Sequence, residues 1–201
     1  MTQTAKRLTA EARRQAVLDT ACRVFSRSSY RGATTAEIAR EAGISEPILY
    51  RHFGSKRDLY LACMEEAWRS FRAVCEEALA GDPERSLGAI ADAYMVRGRK
   101  IRVIDLWIQA LNEASEDKVI ATAVRKQIRE VHDFFADVIR AGQQRGVLHA
   151  DRDPVAEAWI FVAGGLLATI DGRLGGLLGE DLGAVRRARQ AWMMAEEVSD
   201  T

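Results

Sequence analysis

Between Thr34 and Phe53 the chain places apolar residues at Ile38, Ala39, Ala42, Ile44, Leu49 and Phe53, interrupted once by Gly43. Spacings of three and four on either side of a glycine describe two short helices joined by a tight turn. Thr34 opens a capping box with Glu37: the Thr34 hydroxyl would accept from the Glu37 N–H while the Glu37 side chain reaches back. Ser45 is placed to cap the second helix, Glu46 to Phe53, whose first turn accepts Pro47 because that N–H has no intrahelical partner. Ala39 lets the two helices cross closely, Gly43 allows the turn, and Ile44 and Leu49 fill the angle between them. The rest of the second helix is left exposed, as a helix-turn-helix that reads DNA requires.

The remainder of the 201 residues adds only helices to this pair. There are three prolines, Pro47, Pro83 and Pro154, and no Val/Ile/Thr runs alternating with polar residues, so no segment carries a strand pattern. Apolar Val17, Ala21, Val24 and Phe25 line one face of a helix from Thr9 to about Ser26. A fourth helix is expected from Lys56 to Ala80, with Gly54 and Ser55 before it and Gly81-Asp82-Pro83 after it. Further helices are expected at 84–97, 100–114, 117–144, 154–175 and 183–198, making an all-α fold of about nine. The expected division is a three-helix N-terminal domain, residues 1–55, and a larger helical domain, residues 56–201.

Charge is balanced in total, 29 Lys+Arg against 29 Asp+Glu, but not along the chain. The first 60 residues hold 11 basic and 6 acidic side chains and the other 141 hold 18 and 23, so a basic head sits on an acidic body. The longest charge-free stretch, Ala158 to Ile170, has 13 residues, too few to cross a hydrocarbon core of about 30 Å, and reads as a buried helix. The N-terminal residues MTQTAKRLTAEARR have no apolar segment behind their charges, so a cytoplasmic protein without a membrane partner is expected. Cys22, Cys63 and Cys75 are far apart and lack a histidine at ligand spacing, which points to buried small hydrophobes rather than a disulfide framework or a metal site.

Residues 32–64, GATTAEIAREAGISEPILYRHFGSKRDLYLACM, resemble the DNA-binding domain of the TetR family of transcriptional regulators. The resemblance rests on Thr34-Thr35 before Ile38-Ala39, on Ala42-Gly43-Ile44-Ser45, on Leu49-Tyr50-x-His52-Phe53, and on Ser55-Lys56 with Leu59, and spans about residues 10–64. It implies that Thr34 and Thr35 at the start of the second helix, Ser45, Tyr50 and His52 along the third, and Lys56 at the fourth contact DNA, with Thr35, Tyr50, His52 and Lys56 on phosphates. Glu46, Pro47 and Ile48 would then face base edges, Ile48 against a thymine methyl and Glu46 accepting from a cytosine amino group. Glu46 reads equally as a first-turn carboxylate that favours the helix dipole, and Arg51 equally as a solvated side chain or a phosphate contact. The arm Thr4 to Arg14, with Lys6, Arg7, Arg13 and Arg14, would either reach a minor groove or stay solvated.

The larger domain holds the raw material for a ligand site and for self-association. Trp68, Tyr94, Trp107, Phe135 and Trp159 are candidate pocket walls, and Asn112 and His132 candidate hydrogen-bonding groups, although a plain core would use the same large side chains. In the 154–175 helix, heptad positions Ala158, Phe161, Gly165, Ala168, Gly172 and Gly175 form a mostly small stripe, opposite a bulky stripe of Val155, Trp159, Val162, Leu166 and Ile170. Ala184, Ala188, Ala191 and Ala195 repeat the small stripe in the last helix. Two such helices pairing with their copies would form a four-helix bundle across a two-fold axis. No nucleophile elbow, Gly-rich phosphate loop or HExxH motif is present, so no catalytic role, cofactor or metal is expected. The expected function is a homodimeric repressor on a palindromic operator, released by a small apolar or amphipathic effector. The alternative is a DNA-binding regulator without such an effector, controlled by a partner or architectural.

Overall fold

A computed structural model describes residues 9–82, 87–98, 101 and 103–194. Among them are nine α-helices and no strand: α1 (Ala10–Arg27), α2 (Thr35–Glu41), α3 (Glu46–His52), α4 (Lys56–Gly81), α5 (Leu87–Ala93), α6 (Val103–Ala114), α7 (Lys118–Gln144), α8 (Pro154–Arg173) and α9 (Asp181–Met193). A five-residue π turn, Tyr94–Gly98, extends α5, and one isolated bridge pairs Leu148 with Met194. The all-α expectation is met, with helix limits shifted by a few residues.

The caps explain most of these limits. Thr9 accepts from the Ala12 N–H (3.1 Å), Thr34 from Glu37 (3.1 Å), Ser55 from Asp58 (3.0 Å) and Asp153 from Val155 (2.9 Å). Asp117 serves α7 twice, accepting from the Val119 and Ile120 N–H groups at 2.8 and 3.2 Å. Two expected caps are incomplete. Glu37 does not close its half of the capping box, because its carboxylate pairs with Arg27 of α1 at 2.8 Å. Ser45 sits at the N-cap of α3 without a side-chain capping bond, and only its carbonyl is used, by Ile48 and Leu49. Gly43 has the positive φ (68°) that the turn needs, and the Ile44 N–H returns to the Ala39 carbonyl at 3.0 Å.

The chain forms two compact units, residues 1–67 with 105–124, and 68–104 with 125–201. The first includes the start of α4 and the body of α6. Its core gathers Val17, Leu18, Val24 and Phe25 of α1, Ile38 and Ala39 of α2, Leu49 of α3, Leu59, Tyr60 and Cys63 of α4, and Leu106 and Ala110 of α6. Tyr60 lies edge-on to Phe25 (4.9 Å between ring centres) and Tyr30 (5.0 Å), and its hydroxyl donates to the Leu106 carbonyl at 2.7 Å. Arg57 donates to Asp117 at 3.1 Å, fixing the α6–α7 corner to α4.

In the second unit Trp68, Phe71, Phe134, Phe135 and Phe161 form a chain of ring contacts with centroids 4.5 to 6.2 Å apart. Here α8 departs from expectation. It reads in the sequence as a buried helix, yet in the protomer only 22% of its most apolar window is buried; its 20 residues are by length and composition sufficient to cross a membrane. The small stripe turns partly inward. Ala158 is fully buried, Phe161 packs on Phe135, and a methyl group on Gly165 would stand 3.0 Å from Cδ1 of Ile104. Ala158 and Gly165 thus admit neighbours of the same protomer, while Phe161 and Gly165 remain half-buried. Val155, Trp159, Ile160, Ile170, Val185 and Trp192 are exposed instead. Gly172, Ala184, Ala188 and Ala191 are also exposed, Ala168 is half-buried, and Ala195 lies outside the described residues.

Candidate nucleic-acid interface

Helices α2 and α3 cross with Leu49 and Ile38 fully buried between them and the rest of the first unit, which leaves one side of α3 facing outward. Exposed on it are Pro47, Ile48, Tyr50 (44% exposed) and Arg51, with Glu46 and His52 half-buried. An outward proline at the head, an apolar Ile48 and polar groups one turn later match an element that enters a major groove. Thr34 is exposed, but its hydroxyl is committed to the Glu37 N–H.

The hydroxyl of Thr35 is engaged within the protein. Thr35 is buried (8% exposed), and its Oγ1 bonds to the Glu46 carboxylate and lies 3.1 Å from the Tyr50 hydroxyl. A carboxylate has no proton to give, so Thr35 donates to Glu46; having one proton, it must accept from Tyr50. The expected phosphate ligands Thr35 and Tyr50 and the expected base reader Glu46 thus form one chain of hydrogen bonds. No sequence pattern announces it, because positions 35, 46 and 50 meet only through the turn at Gly43.

Lys56 is also engaged. Its ammonium lies 4.7 Å from the centre of the Tyr30 ring, and burial holds it below the usual lysine value. Burial, followed by the nearby Asp117 carboxylate, raises the Tyr30 phenol. Lys6 and Arg7 of the expected arm lie outside the described residues. Arg13 and Arg14 belong to α1, and the Arg14 guanidinium covers the Phe53 ring at 4.8 Å rather than extending as an arm.

The candidate pocket residues are drawn from both units. Trp107, buried, and Asn112, exposed, belong to the first unit, whereas Trp68, Tyr94, His132, Phe135 and Trp159 belong to the second. Both nitrogens of buried His132 are satisfied, Nδ1 by Asp133 (2.8 Å) and Nε2 by the Val155 carbonyl (3.0 Å), and its ring stacks on Trp159 at 4.3 Å. The Tyr94 hydroxyl is shared with Thr169 at 2.8 Å. Burial raises the thiols of Cys63 and of Cys75, the latter to about 12, so neither is a thiolate nucleophile at neutral pH. Among the described residues no cluster of His, Cys, Asp and Glu could hold a metal ion.

Comparison with known proteins agrees with this geometry. Residues 17–63 match the model of the bacterial regulatory proteins of the tetR family, and residues 83–198 that of the BetI-type transcriptional repressor C-terminal domain. The chain is 37% identical over 90 residues to the HTH-type transcriptional activator FasR of Mycolicibacterium smegmatis, covering 44% of this chain and 41% of that protein. It therefore spans about two fifths of that relative's length. With the HTH-type transcriptional repressor NicS of Pseudomonas putida it shares 28% identity over 160 residues, 77% of this chain and 74% of that one. A solved transcriptional regulator from Saccharomonospora viridis in complex with choline superimposes with a TM-score of 0.70 at 23% identity, over 92% of this chain and 99% of that one. With an N-terminal reading head of the family's pattern and a C-terminal model match over more than half its length, the chain belongs to the TetR family of transcriptional regulators, DNA-binding proteins and not enzymes.

Proposed function

We propose that this protein is a homodimeric repressor that binds a two-fold symmetric operator and leaves it when a small apolar or amphipathic effector binds the second unit. The observation that carries this reading is the exposed apolar surface of α8 and α9: Val155, Trp159, Ile160, Ile170, Val185 and Trp192 lie on the outside of a single protomer. Exposed tryptophans and β-branched side chains at this density favour a protein interface. A second copy fits the same surface about a two-fold axis and so supplies a second α3. Two α3 helices about 34 to 36 Å apart meet successive major grooves on one face of the duplex, and a small change in that distance removes one set of contacts.

Support for an effector is chemical. The second unit is rich in aromatic side chains, from Trp68 to Phe161, and the choline bound by the Saccharomonospora viridis regulator makes a small organic cation the first compound to try. A hundredfold loss of operator affinity requires the effector to favour the released state by about 2.7 kcal/mol. The NicS likeness supports repression.

The test is selection of bound sites from a random DNA library at two salt concentrations, followed by titration of the selected duplex with choline and larger amphiphiles. A two-fold motif and ligand-driven release are expected. A two-fold motif with no release by any compound, and no thermal stabilisation of the protein, would leave regulation by a protein partner as the better reading.

A further inference from the structure

In the free protein the Tyr50 hydroxyl donates to Thr35, and Thr35 donates to Glu46, so the two hydroxyls that the family resemblance directs to DNA phosphates are engaged within the protein, one of them directly on a carboxylate. On DNA they cannot do both. When the Thr35 and Tyr50 protons turn toward phosphate oxygens, Glu46 loses its donor just as a polyanion approaches. An ionised group stripped of its hydrogen bond beside like charge is costly unless a new donor meets it. Among base edges in the major groove, the cytosine N4 amino group supplies such a donor without a neighbouring acceptor on the same base. Glu46 is half-buried at the head of α3, next to Pro47 and Ile48, which face outward.

We propose that Glu46 is a specificity-determining residue that works by exclusion: it holds the phosphate-binding hydroxyls in the free protein and releases them without loss only where each half-site presents a cytosine to it. The proposal rests on the reading that α3 enters the major groove of an operator. Non-operator DNA is rejected because the carboxylate is left unpaired there, so discrimination comes from a penalty on wrong sites as much as from a gain on the right one. The Thr35 proton links the two kinds of contact, since it either holds Glu46 or turns to phosphate.

The experiment compares wild type with Glu46→Gln, in which the amide oxygen still accepts from Thr35 but the charge is gone. Sites are selected from a random duplex library with each protein, and dissociation constants are measured for the wild-type operator and for a non-operator duplex. A C·G pair at one position of each wild-type half-site is expected, replaced in Glu46→Gln by A·T, because glutamine pairs with the adenine N6 and N7 edge. Non-operator affinity should rise about tenfold. Glu46→Ala should lose preference at that position altogether, and thermal melts confirm that each variant is folded. An unchanged motif in both variants overturns the proposal, even if non-operator affinity rises, because the carboxylate would then repel phosphate without reading a base. A wild-type protein that selects no two-fold motif overturns the operator reading itself, and the role of Glu46 with it.

Discussion

At the scale of single residues, two tyrosines separate binding from stability. Tyr50 is exposed and gives its proton to Thr35. Tyr50→Phe is expected to weaken binding to operator and non-operator duplexes alike by about fivefold, the worth of one hydrogen bond, with no change in base preference. Competition titrations on both duplexes measure this, and a loss confined to the operator would contradict it. Tyr60 is fully buried and donates to the Leu106 carbonyl, and burial raises its phenol well above the usual tyrosine value. Tyr60→Phe should cost about 1 to 1.5 kcal/mol of folding free energy and leave DNA affinity per folded molecule unchanged. Urea unfolding followed by circular dichroism would show it as a lower midpoint at an unaltered slope.

At the scale of elements, the corner between α6 and α7 carries a pH dependence. Asp117 accepts from Arg57 and from the first N–H groups of α7, and the arginine above all holds its carboxyl below the usual aspartate range. A value depressed by folding stabilises the fold above the unfolded pKa of about 3.9, and the contribution is lost as pH falls through the folded value. Asp117→Asn keeps a capping side chain but not the charge. The variant should melt lower near neutral pH and show a shallower decline below about pH 4 than wild type. Equal slopes in the two acid titrations would remove Asp117 from the account. Helix α8 gives a second expectation. Because a methyl group at Gly165 would already press on Ile104, Gly165→Leu should overpack the second unit by about 1 to 3 kcal/mol and lower the melting temperature. The helix periodicity did not distinguish this from a face reserved for another chain, since small residues serve close packing within a protomer and between protomers equally well.

At the scale of the whole molecule, the proposed dimer rests on the exposed side of α8. Ile160 is about half exposed and stands with Ala156, Ala163 and Gly164 on the outward surface. Ile160→Arg should yield a folded monomer that sediments at half the wild-type mass and binds operator DNA at least a hundredfold more weakly, because one reading head has lost its tethered partner. A dimer that persists in the variant would place the interface elsewhere. Buried Glu157 holds α9 against α8 through Arg189 and the Trp192 indole N–H (2.9 Å), so the two outward surfaces present themselves as one.

The sequence by itself determined the reading head. Its signals are local: a threonine cap, a glycine that must take positive φ, a proline where no N–H is needed, and apolar side chains three and four residues apart. Each acts within a few residues, so each is visible without knowing what the chain folds against. The absence of strand patterns settled the all-α class for the same reason. Only the tertiary structure decided what depends on residues distant along the chain. The turn at Gly43 brings Glu46 and Tyr50 to Thr35; packing draws α6 into the first unit through Tyr60; Ile104 packs against α8 at Gly165. Helical periodicity says that a face will be covered. Which neighbour covers it is a matter of complementary shape between segments that meet only in the folded protein.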